Sequence, residues 1–468
     1  MTNNENGKKE TNPQLKLPLW AGLVILAMCA AVVLLLGLLA VSIMERRWEA
    51  QRPGLVLKPI DEWQPDNAVW GQNYPNEYDT YLKTRIDDTK TKYGGAYPRD
   101  YLEEDPMQVI LFAGYGFSKE YLQARGHYHA VTDVKQTERI KTPYNPGTCL
   151  TCKSTDVPRL MDKMGVAQFY AANFHDIKEQ VQFPIGCQDC HDPKTMSLRI
   201  TRPALQEGFE SMNKDINEAS HQEMRSLVCA QCHVEYYFSR EPKEYLTFPW
   251  KKGTKVEEVI EYYDELEFTD YVHPISKTNI IKAQHPDYEL YMTGVHSYIG
   301  VSCADCHMPY HSQGGMKLTD HHIQSPLLNI ANSCAVCHRW SEEQIRDRVE
   351  GIQDKVQTAM LDAEDAIVKA HFDVRAAIDA GVTDEKLAPA RKLIRHAQYR
   401  WDYISASNGM GFHSPQECMR VLGDSANQAQ QSRLIVARLL AEKGIASETQ
   451  YPDYSTREKA VQVISLYE

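Results

Sequence analysis

The chain has 468 residues and a formal net charge of −12 at pH 7, from 51 Lys and Arg against 63 Asp and Glu, which argues against nucleic-acid binding. Hydrophobic residues at 43% and charged residues at 24% are ordinary for a folded chain and exclude disorder as its main state. Of twelve Cys, ten fall in five Cys-x-x-Cys pairs between Cys149 and Cys337, where random placement would leave about 0.3.

Residues 1–16 read as a cytoplasmic tail. From Leu17 to Met44 there are 28 residues without a charge, flanked by Lys8, Lys9 and Lys16 before and by Glu45, Arg46 and Arg47 after. At about 1.5 Å per residue a helix of that length reaches roughly 40 Å, enough to cross a bilayer. A cleaved signal has a shorter apolar region, about 7 to 15 residues. The segment 17–44 is therefore a transmembrane anchor or a long uncleaved signal, and either exports the remainder of the chain. The flanking charges are nearly balanced and do not set the orientation. Residues 45–70, with Pro53, Pro59 and Pro65, read as a linker.

Residues 71–340 carry the Cys pairs and show few long periodic stretches, so something other than a regular apolar core is expected to organise them. From residue 341 to 468 the pattern becomes helical. Ser341 and Gln344 form a capping box that opens a helix to about Ile378, with Gly381 ending it. A second helix fits 384–406. Ser414-Pro415-Gln416-Glu417 starts a third, which Gly444 stops. The expected fold is mainly α, with little β-sheet and long C-terminal helices. The spacings between Cys pairs differ, so no solenoid repeat is indicated.

Four pairs continue directly into His: Cys187-x-x-Cys190-His191, Cys229-x-x-Cys232-His233, Cys303-x-x-Cys306-His307 and Cys334-x-x-Cys337-His338. This pattern attaches c-type haem, because the two thiols add across the vinyl groups and the next residue presents its imidazole to the iron. Zinc sites join two pairs and do not require His after each second Cys, and disulfides would leave the four His unexplained. Haem attachment of this kind takes place outside the bacterial cytoplasm, which puts the body on the far side of the anchor. The macrocycles themselves supply apolar surface for a compact haem core.

The fifth pair, Cys149-Leu150-Thr151-Cys152, is followed by Lys153. An amine binds iron only when deprotonated; as a simple σ donor it would leave the opposite face free for substrate. The alternative is a surface Lys beside a haemless pair. Cys29 and Cys418 stand outside the pattern and read as small packing residues. Of 17 His, 13 lie outside the motifs. Spacing alone does not choose second axial ligands among His127, His129, His296, His321, His322 and His413.

One Cys-x-x-Cys-Lys motif followed by four Cys-x-x-Cys-His motifs resembles the ammonia-forming cytochrome c nitrite reductases. The resemblance extends through Arg125-Gly126-His127, Thr132-Asp133-Val134, Cys229 to Phe238, Lys282-Ala283-Gln284-His285-Pro286 and Thr319-Asp320-His321. It covers nearly everything after about residue 70. It implies a multihaem cytochrome c fold with five covalent haems, the one on Cys149, Cys152 and Lys153 being catalytic and open on its distal side. It also implies bis-His ligation of the other four: His191 with His321, His233 with His127, His307 with His413 and His338 with His296.

The family's distal pocket corresponds to Arg139, Tyr236 and His285. Arg offers a permanent charge and a planar fork to an anion. Making ammonium from nitrite consumes six electrons and eight protons, and His and Tyr can donate protons or hydrogen bonds. Glu235, Tyr236, Lys282 and Gln284 resemble the family's calcium site, with a carboxylate, an amide oxygen and two main-chain carbonyls. The resemblance further implies a homodimer through the C-terminal helices and a membrane quinol-oxidising multihaem cytochrome as electron donor. The rival readings are a pentahaem electron carrier and an enzyme acting on hydroxylamine or a sulfur oxyanion.

Overall fold

The computed structural model describes residues 18–50, 57–313, 316–445 and 447–467; the tail at 1–16 lies outside them. The chain divides into two units, one of residues 1–57 with Ser312–Lys317, the other of Lys58–His311 with Leu318–Glu468. The first unit contains helix α1, Leu19–Ala50. Its apolar stretch Leu19–Glu45 has none of its surface buried by protein and is long enough to cross a membrane. Apolar side chains face outward all round it, the pattern hydrocarbon rather than water accommodates. Cys29 is exposed on this helix, so it packs against no protein core; only Cys418 is a buried packing residue.

The second unit starts earlier than the Pro-rich pattern of 45–70 suggests. Ile60, Asn67 and Trp70 are buried. Asn67 Oδ1 accepts the Cys187 N–H at 2.9 Å, and a Cβ on Gly186 would lie 1.9 Å from that same oxygen, so the close approach requires glycine. The second half of the expected linker, from Lys58 on, is thus part of the folded unit.

In chain order the Cys-bearing region contributes helices α2 (Cys187–Cys190), α3 (His221–Ala230), α4 (Val256–Glu265) and α5 (Cys303–His307). Between them lie short helical turns and three two-stranded sheets: β1 (Tyr237–Ser239) with β2 (Tyr245–Thr247), β3 (Tyr271–Val272) with β4 (Asn279–Ile280), and β5 (Tyr310–Gln313) with β6 (Met316–Thr319). This region does have an apolar core of its own, contrary to the expectation from periodicity. Leu150, Val157, Leu160, Phe169, Phe174 and Trp250 form part of one buried cluster. Each short element gives it no more than about three residues, too few to register as a repeat.

Beyond it the long helices are α6 (Glu342–Asp379), α7 (Asp384–Ser405), α8 (Pro415–Glu442) and the shorter α9 (Arg457–Ile464). Ser341 closes its capping box with Gln344 in both directions, at 3.2 and 3.0 Å. Gly381 and Gly444 take the left-handed φ values of 72° and 79° that stop α6 and α8. Ser414 differs from expectation: its hydroxyl accepts from Thr293 at 2.8 Å and Glu417 binds Arg420 at 2.6 Å, so no box forms and Pro415 alone marks the start. α6, α7 and α8 pack on one another through Ala363, Ile367, Ala390, Ile394, Ala397, Val421 and Ala429. Ser425 and Ser432 of α8 donate to the Ala397 and Ala390 carbonyls of α7 at 2.7 and 3.0 Å. The same apolar cluster runs on through Val109–Phe112 and Ile280–Ala283, which seats the helices on the Cys-bearing region.

Candidate active site

Each His that ends a Cys motif faces a second imidazole. Ring centres lie 6.4 Å apart for His191 and His321, 6.4 Å for His233 and His127, 6.3 Å for His307 and His413, and 6.3 Å for His338 and His296. An imidazole nitrogen binds a metal at about 2 Å, so with about 1.1 Å from nitrogen to ring centre two opposed ligands put their rings about 6.3 Å apart. The four gaps therefore fit one iron each. The contrast is His273 with His371, whose rings stack at 3.7 Å with no room between them. Several motif rings are also aimed by their second nitrogen. His191 Nδ1 lies 2.9 Å from the Met196 carbonyl, His307 Nδ1 3.0 Å from that of Gln324, and His233 Nδ1 3.3 Å from Asp287 Oδ2. Such bonds fix the tautomer and turn the other nitrogen outward. His129 and His322 are engaged elsewhere, against the Arg85 carbonyl at 3.2 Å and Asp87 Oδ2 at 2.9 Å.

The motifs adjoin one another. The Cys152 thiol lies against Cys232, Cys229 against Cys303, and Cys306 beside Cys334.

Around Cys149–Lys153 the surroundings are different. No hydrogen bond or ion pair among the described residues involves the Lys153 amine. Arg139 lies on a short turn, Glu138–Ile140, is exposed, and has no carboxylate partner among the described residues. Its guanidinium rests on the Phe117 ring at 4.4 Å, and Nε donates to Thr137 Oγ1 at 3.2 Å. Tyr236 stacks on Phe238 at 5.8 Å, and its hydroxyl pKa is pushed up by burial and then by the Cys152 and Cys149 thiols. His285 keeps a buried Nδ1 without a partner among the described residues; burial, and next the Lys153 charge, pull its pKa down to about 3. His285 also lies 6.4 Å from His233, so separation alone admits it as well as His127 opposite that ring.

Behind Tyr236 and His285 sits the set proposed from sequence for a cation. Glu235 is fully buried. Its Oε1 accepts from Tyr263 and Tyr399 at 3.0 and 3.1 Å, and its Oε2 accepts the Gln284 N–H at 2.6 Å. The Gln284 amide reaches the Lys282 carbonyl at 3.2 Å. Burial pushes the Glu235 carboxyl up to about 8, the condition of a carboxylate in a dry site that a bound cation would relieve. The Lys282 amine turns away, to Asp402 Oδ1 at 2.8 Å, which leaves its carbonyl on the side of Gln284.

The family model described as cytochrome c552 matches residues 66–467. The chain belongs to the cytochrome c552 family. As a member of a c-type cytochrome family it carries c-type haem. Similar relatives include the cytochrome c-552 of Bacteroides fragilis, 48% identical over 458 residues covering 96% of this chain and 93% of that one. The cytochrome c-552 of Porphyromonas gingivalis is 46% identical over 463 residues, covering 97% and 93%. Among solved structures, the cytochrome c nitrite reductase of Desulfovibrio desulfuricans superposes with a TM-score of 0.78 at 31% identity, over 84% of this chain and 90% of that one. That structure is of a catalytic subunit, described for its two calcium sites. The mainly α, multihaem cytochrome fold expected from the sequence is the fold observed.

Sequence reasoning missed the supports of this cytochrome's pocket. Glu120 Oε2 accepts from the Thr137 hydroxyl and, at 2.7 Å, from the Glu138 N–H, which leaves Thr137 Oγ1 to receive Arg139. Phe117 carries Arg139 and also lies 4.8 Å from the Lys282 amine. Nothing in Gly-Phe-Ser-Lys-Glu marks these roles, because the residues meet Arg139 only through the fold.

Proposed function

We propose that the chain is an exported, membrane-anchored pentahaem nitrite reductase that forms ammonium at the Cys149–Lys153 motif. The observation that carries this is a contrast. Four motifs face an imidazole across a metal-sized gap, whereas the Lys motif has Arg139, Tyr236 and His285 gathered about it. Among the described residues its amine is unpaired and its Arg lacks a carboxylate. A carrier needs neither an unpaired cation nor free donors beside one motif only. Similarity to a nitrite reductase structure at 31% identity over most of both chains supports the substrate.

Cys149 and Cys152 would hold the catalytic haem and Lys153 would ligate its iron through a deprotonated Nζ. Cys187, Cys190, His191 and His321, Cys229, Cys232, His233 and His127, Cys303, Cys306, His307 and His413, and Cys334, Cys337, His338 and His296 would hold the other four. When bound, haem at the Lys motif supplies an open coordination position and electrons relayed from its neighbours. The remaining work belongs to side chains. Arg139 binds the anion and orients its oxygens through the guanidinium fork, held by Thr137 and Phe117. The Tyr236 hydroxyl and His285 give protons to the oxygens as they leave as water, His285 taking up its proton only with the anion's charge beside it, since burial and the Lys153 charge otherwise hold its pKa down to about 3. Glu235 and Gln284, with the carbonyls of Tyr236 and Lys282, hold calcium, and the Gln284 amide presents its oxygen by rotating. That ion would pin Tyr236 and His285, which adjoin its ligands in sequence.

Residues 1–16 stay in the cytoplasm, α1 remains in the membrane, and the body faces the periplasm. A membrane quinol-oxidising multihaem cytochrome is the donor, and the C-terminal helices form a homodimer. The deciding measurement is ammonium production from nitrite by the purified protein with an artificial reductant, together with spectroscopy of its haems. One high-spin haem of five that binds nitrite is expected. Five low-spin haems indifferent to nitrite, and no ammonium, would replace this reading with the electron carrier.

A further inference from the structure

Arg202 is fully buried and lies where three Cys motifs meet. Its Nε donates to the Thr151 carbonyl at 2.9 Å and its Nη2 to the Ser154 carbonyl at 2.8 Å. These two carbonyls bracket Cys152 and Lys153. Nη1 donates to Thr201 Oγ1 at 2.6 Å, and Asp189 Oδ1, inside the second motif, lies 2.7 Å from Nη2 as an ion pair out of hydrogen-bond alignment. The third motif holds the Thr201–Arg202 backbone. Gln231 Oε1 accepts the N–H groups of Thr201 and Arg202 at 3.1 and 3.2 Å, while Gln231 Nε2 donates to the Asp189 carbonyl at 2.8 Å. Gln188 Nε2 adds a direct bond from the second motif to the Thr155 carbonyl at 2.6 Å.

We infer that Arg202 is a positioning residue for the catalytic haem, its planar fork fixing the Cys152–Lys153 backbone so that the Lys153 amine is delivered to the iron. The inference rests on the proposed ligation by Lys153. Its physical ground is the difference between the two kinds of ligand. An imidazole has few rotatable bonds and a second nitrogen that a neighbour can hold, as Met196, Gln324 and Asp287 do for His191, His307 and His233. An amine on a four-carbon stem has no second anchor, so its aim must come from the backbone that carries it. One guanidinium on two carbonyls three residues apart supplies that constraint at both ends of the dipeptide. Burial raises the stakes, since losing the fork leaves the Thr151 carbonyl in a dry site without a donor and the Ser154 carbonyl with only the Val157 N–H, at 3.4 Å. A purely structural Arg–Asp pair would need only Asp189.

The test compares Arg202→Lys with Asp189→Asn in the full holoprotein. Arg202→Lys keeps the charge and the Asp189 pair but offers one nitrogen, which cannot serve both carbonyls. Five haems and four unaltered low-spin signals are expected, with the high-spin signal split into a mixture. In turnover kcat should fall about tenfold, as when an outer support of a metal ligand is lost, while KM for nitrite stays within about twofold. Asp189→Asn leaves both carbonyl bonds and should leave the high-spin signal as in the parent. The inference is overturned if Arg202→Lys preserves that signal, or if Asp189→Asn disturbs it as strongly. Should Arg202→Lys fail to yield holoprotein, Thr201→Val removes the Nη1 acceptor, along with that hydroxyl's longer bonds to the Asp189 carbonyl and Gln231 Oε1, both 3.3 Å, and should shift the high-spin signal in the same direction by less; no shift overturns the inference. A parent protein with no high-spin haem would overturn the proposed function itself, whereas a parent that has one and an Arg202→Lys variant that keeps it overturn this inference alone.

Discussion

The Cys149–Lys153 and Cys229–His233 motifs are neighbours, their thiols touching through Cys152 and Cys232, and share the same thiol spacing. They differ in what stands around the thiols. His233 is held by Asp287 and faces His127 at 6.4 Å, a separation that fits one metal ion between two imidazoles. Among the described residues Lys153 has no partner for its amine, and an Arg without a carboxylate partner, a Tyr and a His occupy its surroundings. The thiols thus set where a haem is attached, and the residues opposite set what it can do. A closed pair suits electron transfer with little rearrangement; an open face with a fixed positive charge suits a small anion.

The comparison breaks most easily at Arg139. Arg139→Leu removes the charge without a carboxylate partner and should lower kcat/KM for nitrite by about a hundredfold, the cost of losing one preorganised electrostatic contact, with all haems retained. Steady-state kinetics with a haem assay check it; unchanged kinetics would shift the anion-binding role to another residue. Next in size is Glu235→Ala, or calcium chelation, expected to cost about tenfold in kcat as the support behind Tyr236 and His285 loosens. Metal analysis tests the premise, since active enzyme free of calcium rejects the site. Lys153→His then converts the open motif to the pattern of its neighbour. Haem content should persist and kcat should fall a few-fold, a loss of about 1 kcal/mol, while the high-spin signal changes with the ligand.

Smaller still, Glu120→Gln weakens the acceptor that orients Thr137 toward Arg139. A rise in KM of about twofold to threefold with kcat nearly constant is expected, roughly 0.5 kcal/mol of binding. A kcat loss with KM unchanged would mean that Glu120 does not act through Arg139.

The metal-free His273–His371 pair gives the comparison a control. Both imidazoles are buried, with His371 bonded to Ser276 and Gln398 at 2.7 and 2.8 Å. Burial brings the His371 pKa down to about 4 and holds that of His273 well below the ordinary imidazole value. Between pH 6.5 and about 4 the unfolded chain binds protons that the folded rings refuse, so stability falls as pH falls through that window. Thermal melts should show the loss, and His371→Gln should reduce its slope without altering any haem spectrum. A haem change in that variant would contradict the separation of the two kinds of pair.

These residues also mark what was legible in the sequence. The limits of α6 and α8 follow from Ser341 with Gln344, from Pro415, and from Gly381 and Gly444, signals that act within one or two turns of where they stand. The apolar stretch of α1 is legible for the same reason, since length and composition are properties of a continuous segment. The haem motifs are legible because covalent attachment fixes thiol spacing. Where the reading failed, the cause was local ambiguity. Prolines at 59 and 65 look alike in a tether and in the first stretch of a folded unit, and Ser414 looks like a cap until Thr293 takes its hydroxyl.

Fold class, attachment sites and the exceptional Lys153 were therefore determined by the chain's local order. Spacing left 13 His outside the motifs as candidates for four positions, and only tertiary contacts set five of them, His285 included, at 6.3 to 6.4 Å from a motif ring. The supports of Arg139 and the Arg202 junction were decided in the same way. The Glu120–Thr137 bond spans 17 residues and the Arg202–Thr151 bond 51. Contacts at such separations leave no period, cap or spacing in the sequence, because the intervening chain can vary freely so long as the fold returns the two ends to each other.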